Sequence, residues 1–268
     1  MFAPLANLLR EPAPAPPSGL AAHRRLLVIA ITAAAALMFN HYLAINGSLS
    51  TGAQAIAAVT GNSPQQLLLP LQRSPWFGLY QQLWWGASLL LAYVVIPMLV
   101  LKFVLRDAVM DSGLRWGDTG KHKRYYFLFG GVMAVMALAA SFSSTFLHTY
   151  PFYRLASRSV LDLFLWECLY VLQFFCVEYF YRGFLLRSLQ PSFGVNSIYI
   201  SSLLYLTIHL PKPFMECVGS LLFGLILCLL AMLCRSIWGG VFVHVCLAVS
   251  MDVLSLIQTD RWPALLTP

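Results

Sequence analysis

Glu178 and Arg182 stand four residues apart in the apolar stretch 174–185, which carries no other charge. On a helix an i, i+4 pair shares a face, so the two charges can neutralise one another where water is scarce. His209 lies at the end of a second apolar run, 195–210, in the segment Tyr205-Leu-Thr-Ile-His209. His244 lies inside a third, with Asp252 further along it. At 100° per residue His244 and Asp252 fall ~80° apart on a helix and can face one cavity. A carboxylate with a histidine can take a proton from water and make it a nucleophile. A second histidine can donate to the oxyanion of a tetrahedral intermediate. Arg182 can hold the Glu178 side chain in place. That chemistry is peptide-bond hydrolysis inside a bilayer. The same residues also admit a plainer reading: a neutralised pair that orients a helix, and histidines with structural roles. The sequence has no H-E-x-x-H, no G-x-S-x-G and no paired intramembrane aspartates.

These groups are legible because charge is rare. Of 268 residues, 59% are hydrophobic and 10% charged, against 45–50% and about 25% in a typical soluble domain. Too little polar side chain is present to cover a soluble globule. Disorder needs low hydrophobicity, so it is excluded as well. With Gly at 17 and Cys at 6, collagen-like and disulfide-scaffold chains are excluded. A membrane β-barrel would alternate weakly apolar segments instead. The fold class is all-α, a polytopic transmembrane bundle in the lipid bilayer. About seven spans of ~20 residues are expected, near 26–46, 82–105, 125–145, 159–186, 195–210, 214–234 and 237–257. Pro211 and Pro213 end the fifth.

The net charge is +7, but its distribution argues against nucleic acid. Basic residues sit in short clusters between apolar runs, such as Arg24-Arg25 and Lys121, Lys123, Arg124. That is the pattern of the positive-inside rule. With the N-terminus inside, only Arg73, Arg154, Arg158, Lys212 and Arg261 of the 17 Lys and Arg fall outside. Residues 1–25 read as a flexible Pro/Ala-rich cytoplasmic tail without a signal peptide. The membrane domain is then 26–257, and 258–268 form a short C-terminal tail. The 47–80 loop is expected outside, with an interfacial piece at Pro75-Trp76-Phe77. Cysteines lie in or beside apolar runs without metal spacing and read as small hydrophobes.

Ionisable groups within spans are costly and usually functional. They are Asp162, Glu167, Glu178, Arg182, His209, His244 and Asp252. At 1.5 Å per residue from the inner ends of their spans, Glu178 lies ~16 Å deep, His209 ~21 Å, His244 ~10 Å and Asp252 ~22 Å. Three helices can therefore bring them to one polar cavity.

The residues resemble the CPBP intramembrane proteases, also called the CAAX protease or Abi family. Its signatures E-E-x-x-x-R-G, F-x-x-x-H and H-x-x-x-N correspond here to Val177-Glu178 through Arg182-Gly183, Tyr205 through His209, and His244 through Ala248. The resemblance covers about 160–255. Ser-Ile-Trp-Gly-Gly before the last motif and Leu-Leu-Phe-Gly-Leu in the sixth span also fit it. It implies an intramembrane endopeptidase that acts on a membrane-associated protein or peptide, with catalytic residues Glu178, Arg182, His209 and His244. Two positions depart: Val177 replaces the first Glu and Ala248 the Asn, an oxyanion donor whose loss typically costs ~10²–10³ in rate. Asp252, one turn past Ala248, is the expected substitute, and Glu167, on the face of Glu178, the second candidate. The family is often labelled metalloprotease. If a zinc ion were used, Glu178, His209 and His244 would hold it. These ligands would come from three helices without the i, i+4 pair of zincins, and a metal-free, glutamate-type mechanism is preferred. Two alternatives remain: a catalytically inactive relative that binds a membrane partner, and a proton-coupled transporter relaying through Glu178, Asp252 and the histidines. The expected location is a bacterial inner membrane.

Overall fold

The computed structural model describes residues 3–10, 14–15, 18–45, 49–212 and 214–261. Parts of the expected 1–25 tail, Pro213, and most of the 258–268 tail lie outside the described residues. The described chain is helical throughout its regular elements. The helices used below are α1 (Leu20–Phe39), α2 (Phe77–Leu89), α3 (Thr119–Ala140), α4 (Val160–Glu178), α5 (Leu186–Phe193), α6 (Ser197–Thr207), α7 (Phe214–Cys234) and α8 (Trp238–Gln258). With no water to serve backbone groups, a helix is the structure that satisfies them within its own segment.

Among the described residues 5 stretches are long and apolar enough to cross a membrane: Leu20–Ala44, Phe77–Leu105, Val160–Thr207, Glu216–Cys234 and Trp238–Gln258. The protein is therefore an integral membrane protein, and the figure of about seven spans is approximate. Two differences account for the count. The fourth and fifth expected runs form one helical stretch, Val160–Thr207. The chain nevertheless turns back inside it, because Ser201 Oγ donates to the Tyr181 carbonyl at 2.6 Å. A straight helix would hold those residues ~30 Å apart. The reversal falls at Gly194, where φ is +53°, a backbone region that suits glycine. The expected 125–145 run is helical as α3. It begins earlier, and Lys121, His122, Lys123 and Arg124 occupy its first turns.

The chain divides into two compact units. The first comprises Met1–Ala36, Tyr93–Phe127 and Phe175–Phe242. Its aromatic interior includes Tyr93 stacked on Phe180 at 4.3 Å, with Tyr181 edge-on to Tyr205 at 5.3 Å. An aliphatic cluster of Leu186, Ile198, Cys228, Ala231 and Met232 joins α5, α6 and α7. Arg25 grips Asp107 through two bonds of 3.1 and 2.6 Å, tying α1 to the 106–118 loop. That loop is fastened to the turn before α8. Ile237 N–H donates to the Gly113 carbonyl at 3.0 Å, and Asp118 N–H to Cys234 at 2.8 Å. The Trp238 indole donates to Leu114 at 2.8 Å.

The second unit comprises Leu37–Ala92, Leu128–Phe174 and Val243–Pro268. Its core is Tyr153, Ala156, Trp166, Tyr170 and Ala248. Asp162 belongs to the start of α4 rather than to a membrane cavity. It accepts from Arg158 Nη2 at 2.6 Å, Ser159 Oγ at 2.6 Å and Tyr153 at 2.7 Å. An acid in the first turn also complements the helix dipole. Arg158 lies over the Trp76 ring at 4.8 Å and donates to the Pro75 carbonyl at 2.6 Å.

Candidate active site

Glu178 ends α4, and the next seven residues, Tyr179–Leu185, form a π-helical turn. Such insertions occur frequently at functional sites. The wider turn places every residue from Tyr179 to Leu185 in the interior. Within it Arg182 Nη1 lies 3.1 Å from Glu178 Oε1, and both side chains are 0% exposed. The guanidinium plane lies against the Tyr205 ring, 4.2 Å from its centroid. Arginine suits this place because its flat, weakly hydrated cation can stack and pair at once. Ser201 Oγ caps the Tyr181 carbonyl within the π turn.

Two glycines shape the surroundings. A Cβ on Gly183 would stand 2.7 Å from the Ser112 carbonyl oxygen, so the residue after Arg182 has no room for a side chain. At Gly240, early in α8, a Cβ would meet the Glu178 carboxylate itself. The glycine is the gap that carboxylate fills. Its neighbour Gly239 gives the same space to the Tyr126 ring.

Tyr205 extends the pair toward His209. Its hydroxyl is 3.5 Å from His209 Nε2, and the two rings are 4.7 Å apart. His209 Nδ1 is 3.3 Å from the Tyr205 carbonyl. Helix α6 ends at Thr207, so His209 sits in the turn beyond it. The first unit thus brings Glu178, Arg182, Tyr205 and His209 into one connected series.

His244, Asp252 and Glu167 fall in the second unit. His244 is 4% exposed and stacks on Phe174 at 4.8 Å. Asp252 is fully buried, and its Oδ2 accepts the Trp166 indole N–H at 2.6 Å. Ala248 is part of the aromatic core with Trp166 and Tyr170. The carboxylate oxygens of Glu167 are buried without a hydrogen-bond partner among the described residues. The sequence offers Gly239-Gly240 as part of the run before the His244 motif but gives no sign that Gly240 makes room for Glu178, nor that Tyr205 is a stacking platform or Trp166 a donor to Asp252.

Among the described residues no three His, Cys, Asp or Glu side chains are grouped to hold a metal ion, and no step below runs through a metal.

The buried Glu178–Arg182 pair is thus joined through Tyr205 to His209. Residues 159–250 match the family model of type II CAAX prenyl endopeptidase Rce1-like domains. The likeness is confined to this region and is consistent with membership of the CPBP intramembrane protease family. The members of that family are peptidases, which supports a hydrolase. No curated protein and no solved structure matched the chain.

Proposed function

We propose that this protein is an intramembrane endopeptidase that hydrolyses a peptide bond in a membrane-anchored or lipidated protein or peptide. The observation that carries the reading is the fully buried Glu178, paired with Arg182 and seated in the gap at Gly240. An acid is retained at such depth only at a cost, which function can justify. Glu178 accepts a proton from water, and the oxygen so freed attacks the scissile carbonyl. One of His209 and His244 donates a hydrogen bond to the oxyanion that forms, and Glu178 passes the proton it took from water to the leaving amine as the C–N bond breaks. His244 follows Gly240 by one helical turn on α8. Arg182 holds the Glu178 carboxylate in place. The name of the matched family points to prenylated chains as the substrate class.

A second reading is favoured by Ala248. It stands where the family motif has an Asn, and it is 2% exposed among aromatic side chains. A family relative without activity, binding a membrane partner, would tolerate that exchange. Reconstitution in liposomes with a prenylated peptide separates the two. Wild type should cleave, and Glu178→Gln should lose at least ~10²-fold in rate. Cleavage that survives Glu178→Gln would overturn the mechanism. Cleavage abolished by a chelator would replace it with a metal-dependent one. A folded wild type that cleaves nothing favours the inactive relative.

A further inference from the structure

On the Lys/Arg-rich side of the first unit lies a cleft of about 540 Å³, a volume within the range of small-molecule sites. Arg115, Arg187 and Arg235 line it, with Asp111 and Asp118. The acids are already engaged. Asp111 holds Arg115 Nε at 2.8 Å, and Asp118 holds Lys121 at 2.7 Å. Arg235 reaches Asp118 only at 3.6 Å, and its side chain is 75% exposed. Arg187 binds neutral acceptors, the Gln190 amide oxygen at 3.2 Å and the Ala231 carbonyl at 2.9 Å. Arg235 therefore faces the cavity with donor capacity unspent, and Arg187 adds a second guanidinium to the lining that no acid neutralises.

The wall that presents them is fixed. The bonds from Ile237, Asp118 and Trp238 hold the 113–118 segment against the turn at 234–238. Gly117 has φ +56°, and a Cβ there would strike the Cys234 carbonyl. Arg235 itself adopts φ +51°, an uncommon conformation for a residue with a side chain. Observed strain of this kind tends to cluster at ligand sites. A rigid wall lowers the ordering cost of binding.

We propose that this cleft binds a phosphate group. The planar fork of arginine matches phosphate oxygens with paired donors, and the lining carries more positive than negative side chains. The depth suits a lipid headgroup as well as a soluble phosphate, because the stretches Phe77–Leu105 and Glu216–Cys234 both end just before lining residues. The inference does not depend on the peptidase reading.

The test uses the full chain and follows its unfolding temperature in two arms. One arm adds inorganic phosphate in detergent against sodium chloride of equal ionic strength. The other compares nanodiscs of phosphatidylcholine with and without phosphatidylglycerol. Stabilisation in both arms supports recognition of the phosphate group. In the lipid arm alone it assigns a headgroup, and in the soluble arm alone a free phosphate. Arg235→Gln, at an exposed position, should weaken the apparent affinity about tenfold, the loss of one hydrogen bond between charged groups. Asp118→Asn should strengthen it. No stabilisation in either arm overturns the proposal. So does an apparent affinity that neither substitution changes.

Discussion

The carboxylate of Glu178 occupies the space that a side chain on Gly240 would need. A glycine on α8 and an acid at the end of α4 are thus one steric unit. Gly240→Ala should push the carboxylate from its place while leaving its partner Arg182 present. A displacement of about 1 Å can cost ~10² in rate. The expected result is a cleavage rate lowered about a hundredfold with an unchanged circular dichroism spectrum. Gly239→Ala is the internal comparison: its Cβ meets the Tyr126 ring instead. It should lower the unfolding temperature, and Tyr126→Ala should restore it. Equal kinetic effects at the two glycines would count against a specific role for Gly240.

Arg182 is the counter-charge that lets Glu178 stay in the interior. A buried ion pair adds little net stability, yet removing one partner typically costs about 3–5 kcal/mol because the other charge is left uncompensated. Arg182→Gln should show that loss in unfolding by a denaturing detergent. Arg182→Lys keeps the charge but not the flat surface on Tyr205. It should recover only part of the stability. The double change Arg182→Gln with Glu178→Gln should be milder than Arg182→Gln alone.

These residues were legible in the sequence because the chain is so apolar. A charge at 178 or 182 has no polar neighbours to hide among. The membrane class followed from the same scarcity. Other features left no local signal. The π-helical turn at Tyr179–Leu185 has the same apolar pattern as an ordinary helix. The 48-residue stretch Val160–Thr207 reverses at a single glycine. Asp162 looked like an intramembrane charge until its partners, Arg158, Ser159 and Tyr153, came together at the start of α4. The Trp166–Asp252 bond links residues 86 positions apart, beyond any spacing argument.

Alkaline pH should act on the second unit through Tyr153. Burial, and then its hydrogen bond to Asp162, push the Tyr153 hydroxyl up to about 12. A phenol whose pKa is raised by folding contributes stability that is whole below its unfolded pKa of ~10. That contribution fades as pH rises through about 12. The unfolding temperature should therefore decline across this window. Tyr153→Phe cannot ionise and should flatten the decline while lowering stability at neutral pH. An identical alkaline slope in Tyr153→Phe would place the titration elsewhere.

Asp252 has two readings, and its bond to Trp166 separates them. As a catalytic substitute for the Asn missing at position 248, it would need its own charge at the reacting atoms. As the acceptor for a buried indole, it needs only an oxygen. The bond is 2.6 Å long and both side chains are fully buried, so the geometry favours the second. A hydrogen bond contributes about 0.5–1.5 kcal/mol net, and leaving a buried partner unsatisfied costs about 1–3 kcal/mol. Trp166→Phe should therefore destabilise by about that amount, because it leaves Asp252 without this donor. Asp252→Asn keeps an acceptor oxygen and removes the charge, so both stability and cleavage rate should stay near wild type. Trp166→Phe combined with Asp252→Leu removes donor and acceptor together and should be more stable than Trp166→Phe alone. If Asp252→Asn unfolds at the wild-type temperature but no longer cleaves, Asp252 takes part in the reaction, and its bond to Trp166 serves to aim it.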